Sequence, residues 1–228
     1  MSTESLHAPS HAEGVTIPAM VRDLRSFREW AHSDEFPERG SISYVRGEII
    51  VDMNAEELDS HVSLKGNLYA DLLEIVEKEG LGDLFVDGLL FVNEEADVSN
   101  EPDLIFCAIE SLEAGRVGYR EHVPGSGRLV EVTGSPDLLV EIVSRSSVKK
   151  DMLLLFESYF EAGVREYWTI DARGIEIDFR IHRRGAAGFV ANDPDADGFV
   201  ASEVLGRSFR LTRTRTRSRR WRYRLLSR

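Results

Sequence analysis

SPDLLVEIVSRSS, residues 135–147, decides how the chain folds. Pro136 pushes the residue before it into an extended conformation and so starts a strand. Leu138, Leu139, Val140, Ile142 and Val143 put apolar side chains on both faces, as in a central strand covered from both sides. Glu141 interrupts that run. An ionised carboxylate there is costly unless it is paired or binds a metal. It is read either as a core salt bridge to an arginine or as a ligand. Asp137 shares its face, but four residues of strand separate the two by roughly 13 Å, too far for one ion. Asp137 is therefore a strand-entry residue held by local hydrogen bonds. A partner must come from another strand, and the second Pro-Asp stretch, PDLIFCAI (102–109), supplies Asp103. Two carboxylates about 4 Å apart repel by roughly 4 kcal/mol at an effective dielectric of 20. A shared proton or a divalent cation must relieve that, and oxygen-rich ligation suits magnesium or manganese.

Working outward, VRDLRSFREWAHS (21–33) spaces Val21, Leu24, Phe27 and Trp30 for one helix face. SISYV, Arg46-Gly47 and EIIVDM read as a hairpin. Residues 55–80 form a longer helix with His61, Leu64, Leu68 and Leu72 on one side and Gly80 at its end. Residues 84–93 give a strand pair or a bent strand. The stretch between the Pro-Asp strands, rich in glycine and charge, reads as an excursion or lid. DMLLLFESYFEA is a helix stopped by Gly163, and 166–171 with 175–182 make another hairpin. The order predicts a mixed α/β fold around one sheet, with residues 1–17 as a disordered leader.

The 228 residues suit one domain. The single cysteine, Cys107, permits no intrachain disulfide and reads as a small buried hydrophobe, which points to a reducing compartment. The first residues lack the basic start and apolar run of a secretory signal, and no stretch approaches the roughly 18 apolar residues of a membrane helix. The expectation is a cytoplasmic protein with no membrane partner. The net charge of −12 hides an asymmetry. Ten of the 28 basic side chains, and none of the 40 acidic ones, lie in Arg207–Arg228, which leaves −22 on the rest. A +10 end on an acidic body fits nucleic-acid binding, or an end that lies on its own acidic body. Residues 207–216 alternate as a strand. If the alternation continues, Arg213, Arg215, Arg217 and Arg219 would share one face, and Trp221 and Tyr223 could stack on bases; otherwise the arginines beyond about 216 are expected to be mobile or to fold onto the acidic body. No glycine-rich phosphate loop, Gly-x-Ser-x-Gly elbow, metal-spaced Cys/His set or His-Glu-x-x-His is present, which removes the enzyme classes those motifs mark.

Taken together, PDLIF, PDLLVEIVSRSS, Asp151, Tyr159 and AGVREYWTID resemble the Uma-two family, bacterial proteins classed with the PD-(D/E)xK endonucleases. SYVRGEIIVDM is similar to its Gly-Glu hairpin, and VLGRSFRL to its closing strand. The resemblance covers roughly residues 20–212 and sets 213–228 apart as an arginine-rich tail. It implies a restriction-endonuclease-like α/β fold: a mixed central sheet flanked by helices. It also implies a magnesium- or manganese-dependent endonuclease that hydrolyses DNA phosphodiester bonds, with a homodimer left open. Asp103 and Glu141 match the metal ligands, and Glu48 and His61 match the hairpin glutamate and helix histidine of the same cleft. The lysine departs from the pattern, because Val143 and Leu155 stand at the two positions where one is expected. Lys150, or failing that Lys149, is close enough to replace it. The other reading is a nuclease fold that has lost catalysis and serves as a nucleic-acid- or protein-binding module.

Overall fold

The computed structural model describes residues 10–12, 14–145, 147–148 and 150–228. β1 (Ser10–Ala12) and β2 (Val15–Ile17) pair as a small hairpin. α1 (Leu24–Ala31) begins at a capping box between Asp23 and Ser26. β3 (Ser41–Val45) and β4 (Glu48–Asp52) are joined by Arg46 and Gly47, both at positive φ as a two-residue hairpin turn requires. A π-helical turn, Leu58–Ser63, runs into α2 (Leu64–Glu79), which ends on Gly80 in the left-handed conformation. Then come β5 (Gly82–Val86), β6 (Leu90–Asn93), β7 (Val98–Asn100), β8 (Leu104–Ala108), α3 (Ile109–Glu113), β9 (Val117–Glu121), β10 (Leu129–Gly134) and β11 (Leu138–Ile142). A second π-helical turn, Lys150–Leu154, leads into α4 (Leu155–Glu161). The last strands are β12 (Glu166–Asp171), β13 (Asp178–Arg184), β14 (Phe189–Ala191), β15 (Val200–Ser202), β16 (Arg207–Arg215) and β17 (Trp221–Ser227).

The α/β class is as expected, but two six-stranded sheets stand where one was predicted. Their orders are β4-β3-β7-β6-β10-β9 and β14-β13-β12-β11-β8-β5, each mixed. The stretch read as a lid is responsible: it folds as β9 and β10, and β10 pairs in parallel with β6. Residues 84–93 therefore feed both sheets, β5 the second and β6 the first. Three apolar layers result. Phe91, Val98 and Val132 of the first sheet meet Ile105, Cys107, Leu139 and Tyr167 of the second, together with Leu155 and Tyr159 of α4. The other face of the second sheet, including Leu138, Val140 and Ile142, packs on α2, β16 and β17. The other face of the first sheet is covered by β2 and α1 through Val15, Ile17, Phe27 and Trp30. The expected leader is corrected to that extent, since Val15 and Ile17 belong to a buried strand. The rest of that expectation, residues 1–9 and 13, lies outside the described residues.

The arginine-rich end turns back as β17 and lies along α2. Asn67 and Asp71 of that helix accept from the backbone N–H groups of Tyr223 and Leu225. Tyr223 is buried, and the guanidinium groups of Arg213 and Arg215 lie 4.3 and 3.6 Å from the ring centre of Trp221. Neither ring offers the open face that stacking on a base needs. Arg213 and Arg215 share a face, but Arg217 and Arg219 lie in the turn between the strands.

Glu131 of β10 shows what the first sheet requires of a buried charge. Its side chain is fully enclosed and accepts from Arg28 at 2.5 Å and from His32 at 2.9 Å. Burial works against its charge, but His32 and Arg28 outweigh it and hold the carboxyl down to about 2. The folded value lies below the ordinary 4.5, so this stabilisation is full above pH 4.5 and is lost as the pH falls toward 2. Its size is about 3 kcal/mol. We expect Glu131→Gln to cost about that much at pH 7 in urea unfolding, with the gap to the natural chain narrowing between pH 4.5 and 2. A gap independent of pH would mean that packing, not charge, is what the substitution removes.

Candidate metal and phosphodiester site

β8 and β11 run antiparallel, and their pairing ends with Leu104 opposite Val140, a register that continued by one residue sets Asp103 opposite Glu141. The same alternation that sends Leu138, Val140 and Ile142 to α2 points Glu141, like Leu139, into the layer between the sheets. Asp103 shares the parity of Ile105 and Cys107 and enters that layer too. Both carboxylates line a cleft of about 710 Å³ at its open end, with His61, Lys65, Lys150 and Asp151. Asp52 and the 54–57 stretch form one wall, and Ser144, Arg145 and Arg173 another. The lining holds eight carboxylates against five lysine and arginine side chains, so the cleft attracts cations.

The two carboxylates sit in opposite environments. Asp103 Oδ1 accepts from His61 Nε2 and from Lys65 Nζ, both at 2.9 Å, and Oδ2 accepts from the Ile142 N–H at 2.6 Å. Burial works against its charge, but these donors outweigh it and hold the carboxyl below its ordinary value. Glu141 accepts from Asn100 Nδ2 at 2.9 Å and from the Tyr159 hydroxyl at 2.7 Å. Burial pushes it well above the ordinary carboxylate range; Lys150 opposes the rise, while Asp151 and Asp103 add to it. The surroundings thus pull the two carboxyls in opposite directions, Asp103 toward its ionised form and Glu141 toward its protonated one, the division expected when two carboxylates share one site. Asp151, buried at the second π-helical turn, is pushed up to about 6 by burial, and its Oδ1 accepts no hydrogen bond; Lys150 Nζ is 3.8 Å away.

Two placements for a cation follow. Glu56, His61 and Asp103 bring ligand atoms within 4.8 Å of one another. The Lys65 ammonium already stands among them, 2.8 Å from Glu56 and 3.2 Å from Asp87 as well as on Asp103, and would repel a second cation. The Asp103–Glu141–Asp151 side offers oxygen donors and the orphaned Asp151 Oδ1, which suit a hard divalent ion, but its three carboxylates do not close to the same spacing and Lys150 stands beside them.

The expected residues divide. Asp103, Glu141, His61 and Lys150 share the cleft, with Lys150 Nζ 3.5 Å from Asn100 Oδ1. Glu48 does not: it is exposed beside the β3–β4 turn, and Asp52 at the other end of β4 reaches the lining instead. Lys149 lies outside the described residues. Leu155 and Val143, the two positions left without a lysine, are buried. Sequence reasoning missed Lys65. Its spacing of four from His61 on the same helical stretch was the available signal. Asn100, which ties the first sheet to Glu141, had none.

A family model described as "Putative restriction endonuclease", Uma2, matches residues 24–212. The chain belongs to the Uma2 family. Among solved structures, it is similar to a putative nuclease belonging to DUF820 from Anabaena variabilis. The identity is 17%, the match covers 81% of this chain and 90% of that one, and the TM-score is 0.57, so the fold is shared. No curated protein matches the chain. The sequence expectation of an Uma2 relative with a nuclease-like α/β fold is therefore correct. None of the helices among the described residues is long and apolar enough to cross a membrane.

Lys65 is buried, so its removal leaves the Asp103 charge without a compensating ammonium. Breaking a buried pair from one side costs about 3 kcal/mol or more. We expect Lys65→Ala to lose about 3 kcal/mol in equilibrium unfolding at pH 7. A loss under about 1 kcal/mol would mean that His61 alone compensates Asp103.

Proposed function

We propose that this Uma2 chain is a divalent-cation-dependent endonuclease acting on DNA phosphodiester bonds, with Asp103 and Glu141 as the cation ligands. The observation that carries the reading is the pair itself, two buried carboxylates set opposite each other at the mouth of an acidic cleft, with a lysine beside Glu141. Magnesium or manganese bound there would supply an activated water and offset charge on the scissile phosphate. Asp103 and Glu141 would hold the ion, with Asp151 beside them. A ligand carboxylate must be ionised and burial opposes that for Glu141, so cation affinity is expected to rise with pH. His61 keeps Nε2 on Asp103 and acts as a positioning residue that fixes the carboxylate's orientation. Lys150, held between Asn100 and Asp151, would stabilise the phosphate's developing charge, the part the usual motif lysine plays.

The second reading, a fold kept for binding after catalysis was lost, is favoured by one observation: Leu155, at a family lysine position, is packed in the core. Plasmid DNA incubated with magnesium or manganese separates the two. The nuclease reading expects nicking or linearisation that chelation stops and that Asp103→Asn or Glu141→Gln abolishes. Lys150→Met should slow it by about 10² to 10³. A chain that manganese stabilises thermally, in a manner lost in Glu141→Gln, but that never cuts duplex DNA would be the binding module.

A further inference from the structure

The arginine-rich end forms part of the cleft's surroundings. Arg213 donates to the carbonyls of Ala172, Gly174 and Ile175 at 3.0, 2.7 and 2.6 Å, which fixes the turn that presents Arg173 to the cleft. On the other side, Ser63 of the π-helical turn that carries His61 donates to the carbonyl of Trp221, and Arg220 lies 3.6 Å from Asp59 of the same turn. The β16–β17 hairpin is thus anchored on both sides to segments that line the cleft, and at its turn Arg220 reaches Asp59, next to the cleft-lining Ser60 and His61.

The arginines of this hairpin are used unequally. Arg220, Arg224 and Arg228 pair with Asp59, Asp71 and the Asp195–Asp197 loop, and Arg213 is committed to carbonyls. Arg215, Arg217, Arg219 and Arg222 have no carboxylate partner among the described residues, and all four are exposed within eight residues of chain. Arg219 moreover stands at a φ of 62°, where glycine or asparagine would fold more cheaply. Arg215 lies on Trp221, but Arg217, Arg219 and Arg222 are positive charges that folding does not account for, on a chain whose residues 1–206 carry −22.

We infer that the hairpin tip, through Arg217, Arg219 and Arg222, binds the phosphate backbone of duplex DNA beside the strand that enters the cleft. The choice of DNA rests on the nuclease reading. The tip's affinity for spaced backbone phosphates rests on charge and placement alone. An acidic cleft repels a polyanion, so a duplex can approach only where positive charge offsets that repulsion; Arg145 and Arg173 at the cleft are paired with Glu57 and Asp171, which leaves the tip as such a place. No base readout is implied, since Tyr223 is buried and Trp221 is covered by two guanidiniums.

The test is binding without cleavage. The full chain and the triple variant Arg217→Gln, Arg219→Asn, Arg222→Gln are titrated onto a fluorescent duplex of about 20 base pairs in EDTA across a salt series. None of the three side chains makes a hydrogen bond or ion pair among the described residues, so an unchanged melting temperature verifies folding. The inference expects a slope of log affinity against log salt that flattens by about 2 to 3, at roughly 0.9 per phosphate contact. An unchanged slope overturns it, as does a change seen only with single-stranded RNA or an acidic protein in place of the duplex. The two readings fail separately. A chain that binds through the tip but never cuts keeps this inference and loses the nuclease, while a chain that cuts with an unaltered salt slope does the reverse.

Discussion

Burying Asp103 and Glu141 side by side is the constraint that the rest of the molecule answers. Neither carboxylate can lie between two sheets unless its surroundings are built to receive it. The β8–β11 register brings the pair together, and the cost is divided by treating the two oppositely. Asp103 is surrounded by donors from α2, its preceding turn and the β11 backbone. Glu141 is enclosed among Tyr159, Asn100 and Asp151, and burial pushes it toward its protonated form. The two-sheet architecture follows the same requirement. Asn100 reaches Glu141 from the first sheet and Tyr159 reaches it from α4, so the site exists only where three separate pieces of the fold meet.

Much of this was legible in the sequence, and the illegible parts share a cause. The central strand announced itself by apolar residues on both faces, and the out-of-place Glu141 marked the site. Hairpins such as Arg46-Gly47 and the Gly80 helix end were readable because their conformations are local requirements of the backbone. The second sheet was not readable. Glu131 and Thr133 look polar in the chain, and only the pairing of β10 with β6, some 40 residues away, turns that stretch into sheet. Glu131 reads as a surface residue until Arg28 and His32 arrive from α1. Long-range compensation of a buried charge leaves no local signature.

The site shows the same division. Asp103, Glu141 and Lys150 lie on or next to elements that their own sequence defines. The position of Glu48 depended on how far along a hairpin the cleft extends, which no residue pattern encodes, and the cleft meets β4 at Asp52 instead. Lys65 escaped notice because a lysine on a helix is ordinarily solvated. What makes this one different is three carboxylates contributed by other segments.

That lysine also changes how the protein depends on its surroundings. In small metal-organised domains the ion is part of the folding reaction, and removing it unfolds the chain. Here an ammonium carried by the chain itself stands on Asp103 and neutralises the most crowded end of the cleft before any ion arrives. The fold can therefore form in ion-poor surroundings, and under the proposed function the ion would be a reversible visitor, governing activity and not survival. A scaffold that supplies its own structural cation can hold its functional one loosely.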